Sequence, residues 1–472
     1  MDGRSIGRLA AAELGRMIGR GEVSPTEAVD SYLDRVDRLN GQLGAMILVG
    51  REEALGEASE REKELASGLS RGPLHGVPVG IKEQIDVRGW PTTGGSTILR
   101  EAVAERDATV TSRLREAGAI ILGKLNMTEL AIAETIEFPY GTPMNPWNPG
   151  RSPGSSSAGS GSAMAASLCA ATLGGDTGGS IRIPAAYCGI VGLRPTFGRV
   201  SRAGALAACW SMDTIGPMTR TVEDAALVLK AIAGPDPRDG WAADLPVPDY
   251  ARSLDAGVKG LKMAVISDLM DPELVDPEVI SAVTEAAHLF ETMGASVHEV
   301  SLPMVEHAGP IHWTLCYVEF GQVNRETIRN RANELTHMVR IAVTAGSLIP
   351  GVTYYKALQL REMLRRQILE ALERYDVLVC PTMSTGAPPR APDVYTRSSA
   401  QVMEGLTGPV RLTAPFSHAG VPALSVPCGL TSERLPIGLQ LVGRPFEEEV
   451  VFRAGRSYEA QTGWRETNPP VF

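Results

Sequence analysis

The sequence predicts an α/β layered fold. Short apolar runs of strand character alternate with longer amphipathic runs of helical period along 472 residues, the pattern of a sheet covered by helices. A hydrophobic fraction of 43% supplies a large core, and 50 glycines with 33 prolines supply the turns between many elements. No internal repeat is visible.

Each element has a local reason. Two helices are expected at 6–19 and 25–39, divided by Gly21; Ser24 caps the second and Pro25 takes its first position. A third helix is expected at 51–67. Strands are expected at 76–82, 119–123, 261–266, 377–380, 423–427 and 437–442. Helices between them fall at 108–117, 222–233, 276–293 and 354–374. Residues 235–256, rich in proline and aspartate, read as a connection. Residues 303–350 read as mostly helical; His312, Trp313, Tyr317 and Phe320 there are either core residues or the wall of a pocket.

The net charge of −10 disfavours binding to a polyanion. Six scattered cysteines among apolar neighbours read as reduced core residues, which fits a cytoplasmic setting. The N-terminal helix has charges throughout and lacks a signal-type apolar core, and no run approaches 18 apolar residues.

The chemistry concentrates between Arg151 and Pro184. A first loop, Gly154-Ser155-Ser156-Ser157-Ala158-Gly159, carries three hydroxyls, and a helix of small residues follows it at once. A flexible linker of the same composition would not run straight into such a helix. A second loop, Asp176-Thr177-Gly178-Gly179-Ser180, places a hydroxyl after two residues without side chains. The backbone amides of 177 to 180 are thereby free to face a developing oxyanion, as acyl transfer requires. Upstream, Gly76 to Lys82 reads as a buried strand ending in a lysine. A serine hydroxyl needs a base to become a nucleophile. Lysine, with a pKa of ~10.4 in water, becomes a base when burial disfavours its charged form.

Other chemistries fit less well. Gly118 to Lys124 has P-loop spacing, but Leu125 stands where a serine or threonine is needed, and its middle is a buried strand. Neither Ser156, Ser157 nor Ser180 sits in a GxSxG elbow. His75 and His418 read as packing or surface residues. No spacing suggests a metal site, so hydrolysis is expected to need neither metal nor ATP.

These residues resemble the amidase signature family. The resemblance rests on GVPVGIK at 76–82, PGSSSAG at 153–159 and GGDTGGSIRIPAAYCGIVGLRPT at 174–196. It continues in GRVSRAG at 198–204, IGPMTRTVEDAA at 215–226, and the late VPALSVPCGL and LPIGLQLVGRPF. It implies a three-layer α/β/α fold with a mixed central sheet of about eleven strands. The chain would then be one domain over 1–472: a helical segment at 1–70, a signature core at 76–233, and a C-terminal half at 257–472 that includes the variable 303–350. It implies Ser180 as nucleophile, Ser156 as a bridging serine after a cis peptide bond, and Lys82 as base. Thr177, Gly178, Gly179 and Ser180 would form the oxyanion hole. One departure stands out: Ser155 occupies a position where the family usually has glycine. Met127, Ser157 and Arg361 are candidate substrate contacts.

The resemblance implies a hydrolase of carboxamides, anilides or carbamates that works through an acyl-enzyme, takes a small-molecule substrate and needs no cofactor, nucleic acid or membrane. A homodimer stays open. An alternative within the family is the glutaminase subunit of a tRNA-dependent amidotransferase. That subunit holds the α-amino group of glutamine with an acid in a DxxT-x-P segment; here Gly408 to Pro415 has none. Arg361 matches a carboxylate-binding arginine of that subunit. The third alternative, an inactive binding scaffold, would have lost Lys82, Ser156 or Ser180, and all three are present.

Overall fold

A computed structural model describes residues 6–132, 138–390 and 408–470. Among them, eleven strands form one mixed sheet: β1 (Met46–Val49), β2 (Pro78–Lys82), β3 (Ile120–Leu125), β4 (Ala171–Asp176), β5 (Val191–Arg194), β6 (Thr214–Thr219), β7 (Lys262–Ile266), β8 (Ser296–Val300), β9 (Val377–Pro381), β10 (Ala423–Leu430) and β11 (Pro436–Val442). Their order is β1-β3-β2-β4-β6-β5-β10-β11-β9-β7-β8. Strand β2 runs parallel to β3 and β4, and β7 runs parallel to β8 and β9; the other neighbours are antiparallel. Every residue of β2, β3, β4, β6, β9 and β11 is buried. A strand buried on both faces requires cover on both, so helices lie above and below the sheet. This is the three-layer arrangement expected.

The N-terminal half forms as its local signals dictate. Ser24 starts the helix Pro25–Leu43 with a reciprocal cap: its hydroxyl accepts from the Glu27 amide, and the Glu27 carboxylate accepts from the Ser24 amide. Within the span 6–19 expected as one helix, a helix runs over Ala11–Gly19, with the extended Ala10 before it. The other expected strands and helices lie within a few residues of their positions. Residues 303–350 contain the helices Ala308–Val323, Arg325–Arg331 and His337–Leu348. In the P-loop-like stretch, Lys124 is a buried strand residue whose ammonium donates to the Ile85 carbonyl (2.7 Å) and the Thr92 hydroxyl (3.2 Å).

Strands β2 and β4, side by side at the centre of the N-terminal half, set up the site. Lys82 ends β2, Asp176 ends β4, and the loop after Asp176 carries Thr177 to Ser180 into the helix Arg182–Cys188. The helix Ala158–Ala165, entirely buried, brings the serine loop beside them.

Candidate active site

Lys82 is fully buried. Its ammonium donates to Ser156 Oγ at 2.7 Å. Loss of hydration pulls its pKa from 10.5 down to about 7; the carboxylates of Asp213 and Asp176 pull the other way without cancelling this. A neutral amine in contact with a serine hydroxyl can take a proton.

The serine loop is fixed by close packing. Gly154 has φ +121°, and a Cβ there would lie 2.4 Å from the Cα of Pro184. Only glycine fits both the backbone and the contact. The Ala158 amide closes the turn by donating to the Ser155 carbonyl at 2.9 Å. Three successive hydroxyls then go three ways. Ser156 faces Lys82. Ser157 donates to the Gly175 carbonyl (3.1 Å) and accepts from the Gly175 amide (3.2 Å), which ties the loop to β4. Ser155 Oγ lies 2.9 Å from Ser180 Oγ. Two expectations change here. The bond before Ser156 is trans, as every described peptide bond is, the form that a non-proline residue favours by about 3–4 kcal/mol. The hydroxyl that touches Ser180 belongs to Ser155. Ser157, a candidate substrate contact, spends its hydroxyl on the sheet.

Ser180 is 8% exposed. The loop before it is gripped on both sides. A Cβ on Gly178 would lie 2.3 Å from a ring carbon of His312, and a Cβ on Gly179, where φ is +141°, would lie 2.4 Å from Thr413 Oγ1. The Thr413 hydroxyl donates to the Gly178 carbonyl. Thr177 donates its hydroxyl to Asp213 at 2.6 Å. The amides of Thr177, Gly178, Gly179 and Ser180 donate to no carbonyl or side chain among the described residues. Donors clustered around a hydroxyl are what a tetrahedral oxyanion would meet.

Beneath the loop lies a buried ion network. Arg182 grips Asp176 with two bonds (3.0 and 2.9 Å) and reaches the Thr413 carbonyl and the Gln440 side chain, each at 2.8 Å. Arg194 adds bonds to the Asp176 carboxylate (3.0 Å) and carbonyl (2.6 Å). Burial alone would raise the Asp176 pKa, but the two guanidiniums outweigh it and hold the carboxyl well below its usual range. Burial raises the pKa of Asp213, although the amides of Ala208 (2.8 Å) and Cys209 (3.0 Å) support its charge. Sequence reasoning did not single out Asp176, Arg182, Arg194, Asp213 or Thr413 for these roles. The first three stand inside the quoted motifs, which was the available signal.

Of the other candidates, Arg361 is tied to Ser211 by two bonds of 3.0 Å, to its hydroxyl and its carbonyl, and to the His418 carbonyl at 3.3 Å. Met127 is fully buried against Gly95. His75 holds backbone, bonding to Arg61 and Arg71. His418 is fully buried, and burial keeps it neutral. His312, left open between core and pocket wall, covers the Gly178 turn. A cavity of about 190 Å³ lies nearby, lined in part by Gln84, Leu206, Trp210 and Asp213. The six cysteines are free thiols. No described helix is long and apolar enough to cross a membrane.

The fold and the comparisons with known proteins together place the chain among amidase-type enzymes. Residues 27–452 match the Amidase family, and the chain belongs to it. It is 39% identical over 487 aligned positions to a glutamyl-tRNA(Gln) amidotransferase subunit of Moorella thermoacetica, covering 98% of each chain. The peptide amidase of Stenotrophomonas maltophilia superposes with a TM-score of 0.84 at 31% identity, covering 98% of both chains. A 6-aminohexanoate cyclic dimer hydrolase, solved with its substrate, superposes with a TM-score of 0.87 at 27% identity, covering 98% of this chain and 99% of the other. The protein is thus an enzyme of a family that acts on carbon–nitrogen bonds.

Proposed function

We propose that this protein is a stand-alone serine amidohydrolase that cleaves small carboxamides, anilides or carbamates. Ser180 is the nucleophile, Lys82 the base, and Ser156, bonded to Lys82, the hydroxyl that relays the proton to it, although the hydroxyl in contact with Ser180 is that of Ser155. The observation that carries the reading is the 2.7 Å contact of Ser156 with a fully buried lysine whose pKa falls to about 7. Ser180 Oγ attacks the substrate carbonyl as its proton passes toward Lys82. The carbonyl oxygen becomes an oxyanion held by the amides of Thr177 to Ser180. The proton then goes to the departing nitrogen, the C–N bond breaks, and an acyl ester remains on Ser180. Water attacks the ester by the reverse relay and frees the acid.

A second reading, the glutaminase subunit of a tRNA-dependent amidotransferase, draws support from the 39% identity to such a subunit. Against it stand Val410, which is buried, and Arg411 at the positions that would supply an acid for the α-amino group. Labelling by a fluorophosphonate, followed by peptide mapping, tests the assignment. Modification of Ser180 in the wild type and none in Ser180→Ala is expected; modification of Ser156 or Ser157 would reverse the roles.

A further inference from the structure

We propose that Ser155 is a further working part of this site: its hydroxyl donates a hydrogen bond to Ser180 Oγ and stabilises that oxygen as it loses its proton. The inference rests on Ser180 being the nucleophile. The two oxygens are 2.9 Å apart. A hydroxyl has one proton to donate and two lone pairs. On the proposed mechanism Ser180 sends its own proton toward Lys82 by way of Ser156, so it meets Ser155 through a lone pair, and Ser155 is the donor. As negative charge grows on Ser180 Oγ the bond becomes charge-assisted and roughly twice as strong. The interaction therefore favours the transition state over the resting state, which is the condition for a catalytic contribution.

The position of Ser155 is not free to drift. Gly154, just before it, is wedged against Pro184, four residues past Ser180. Ser156, just after it, is bonded to Lys82. The carbonyl of Ser155 itself is held by the Ala158 amide. A glycine at 155 would leave Ser180 Oγ without this partner. The serine found here supplies a donor that the glycine usual in the family does not.

The test compares the wild-type full chain with Ser155→Gly, Ser155→Ala and the near-isosteric pair Ser155→Thr and Ser155→Val. The readouts are the second-order rate of fluorophosphonate labelling at Ser180 from pH 6 to 9, steady-state kinetics on a neutral anilide, and the thermal midpoint. Loss of the hydroxyl is expected to lower the plateau labelling rate and kcat about ten- to hundredfold, with KM and the pH midpoint unchanged. Ser155→Thr is expected to keep most of the rate that Ser155→Val loses. That pair decides the matter if Gly or Ala unfolds the loop. Equal rates for Thr and Val, or labelling of Ser155→Ala at the wild-type rate, would overturn the inference and leave the proposed function standing. A shifted pH midpoint would also overturn it, because it would mean that the Lys82–Ser156 contact had been disturbed. Failure of the wild type to label at Ser180 would remove the nucleophile assignment and this inference with it.

Discussion

A lysine ammonium in water keeps its proton to about pH 10.4. That of Lys82, stripped of water inside the sheet, gives it up near 7. On the proposed mechanism only the neutral amine accepts the proton of Ser180, so kcat/KM should rise with pH through a midpoint near 7 and level off above it. Lys82→Ala should lose both the activity and that limb, as no histidine among the described residues bonds to Ser180. Persistence of the limb in Lys82→Ala would assign the titration to another group. Ser180→Ala should abolish turnover with an unchanged thermal midpoint. Asp176 works in the opposite sense. Its folded pKa is depressed, so its contribution to stability is present above the unfolded value of about 3.9 and is lost as pH falls below it. Asp176→Asn should cost about 3–5 kcal/mol in chemical denaturation at pH 7, since it leaves two buried guanidiniums unpaired. It should also lack that acid-dependent loss.

At the scale of elements, the glycine turn is a plate held between two neighbours, His312 from the helix Ala308–Val323 and Thr413 from the start of the helix Ala414–Ala419. Gly178→Ala would drive a methyl into the imidazole and tilt the loop. An activity loss of about hundredfold or more is expected. Gly178→Ala with His312→Ala should recover part of it, which kcat measured on the double variant would show. The elements were unequally legible. Strand β2 and the helix Pro25–Leu43 were plain because apolar runs and a Ser-Pro start speak locally. Strands β4 (ATLGGD) and β6 (TIGPMT) were hidden, because glycine and proline are turn signals there. Only pairing across the sheet makes them strands. Strand β8, SVHEV, is mostly polar and lies at the sheet edge. In the site, Lys82, Ser156 and Ser180 stood in contiguous motifs. The covering roles of His312 and Thr413 come from contacts between segments far apart along the chain, which no local pattern encodes.

Across the whole molecule, the open question is which amide enters. Val410 stands where the glutaminase reading needs a carboxylate, and an ammonium without its partner forfeits about 1.5–3 kcal/mol, or roughly ten- to hundredfold in binding. Glutamine should therefore be a poor substrate beside a neutral anilide or a carbamate when the purified chain is assayed alone. Efficient glutamine hydrolysis, or activity that appears only with a partner subunit, would favour the amidotransferase reading. The same assay with and without a chelator checks the expectation of metal independence, with equal rates as the expected result.

The burial of Lys82 carries one more consequence, in heat. Removing a proton from an ammonium absorbs much heat, whereas removing one from a carboxylic acid absorbs almost none. The midpoint near 7 should therefore move to lower pH as the enzyme is warmed. In a buffer held just below it, the reaction should quicken with temperature more steeply than the barrier alone dictates, because warming also recruits molecules that were waiting in the protonated form. A midpoint that stayed still on warming would belong to a carboxyl group and not to an amine.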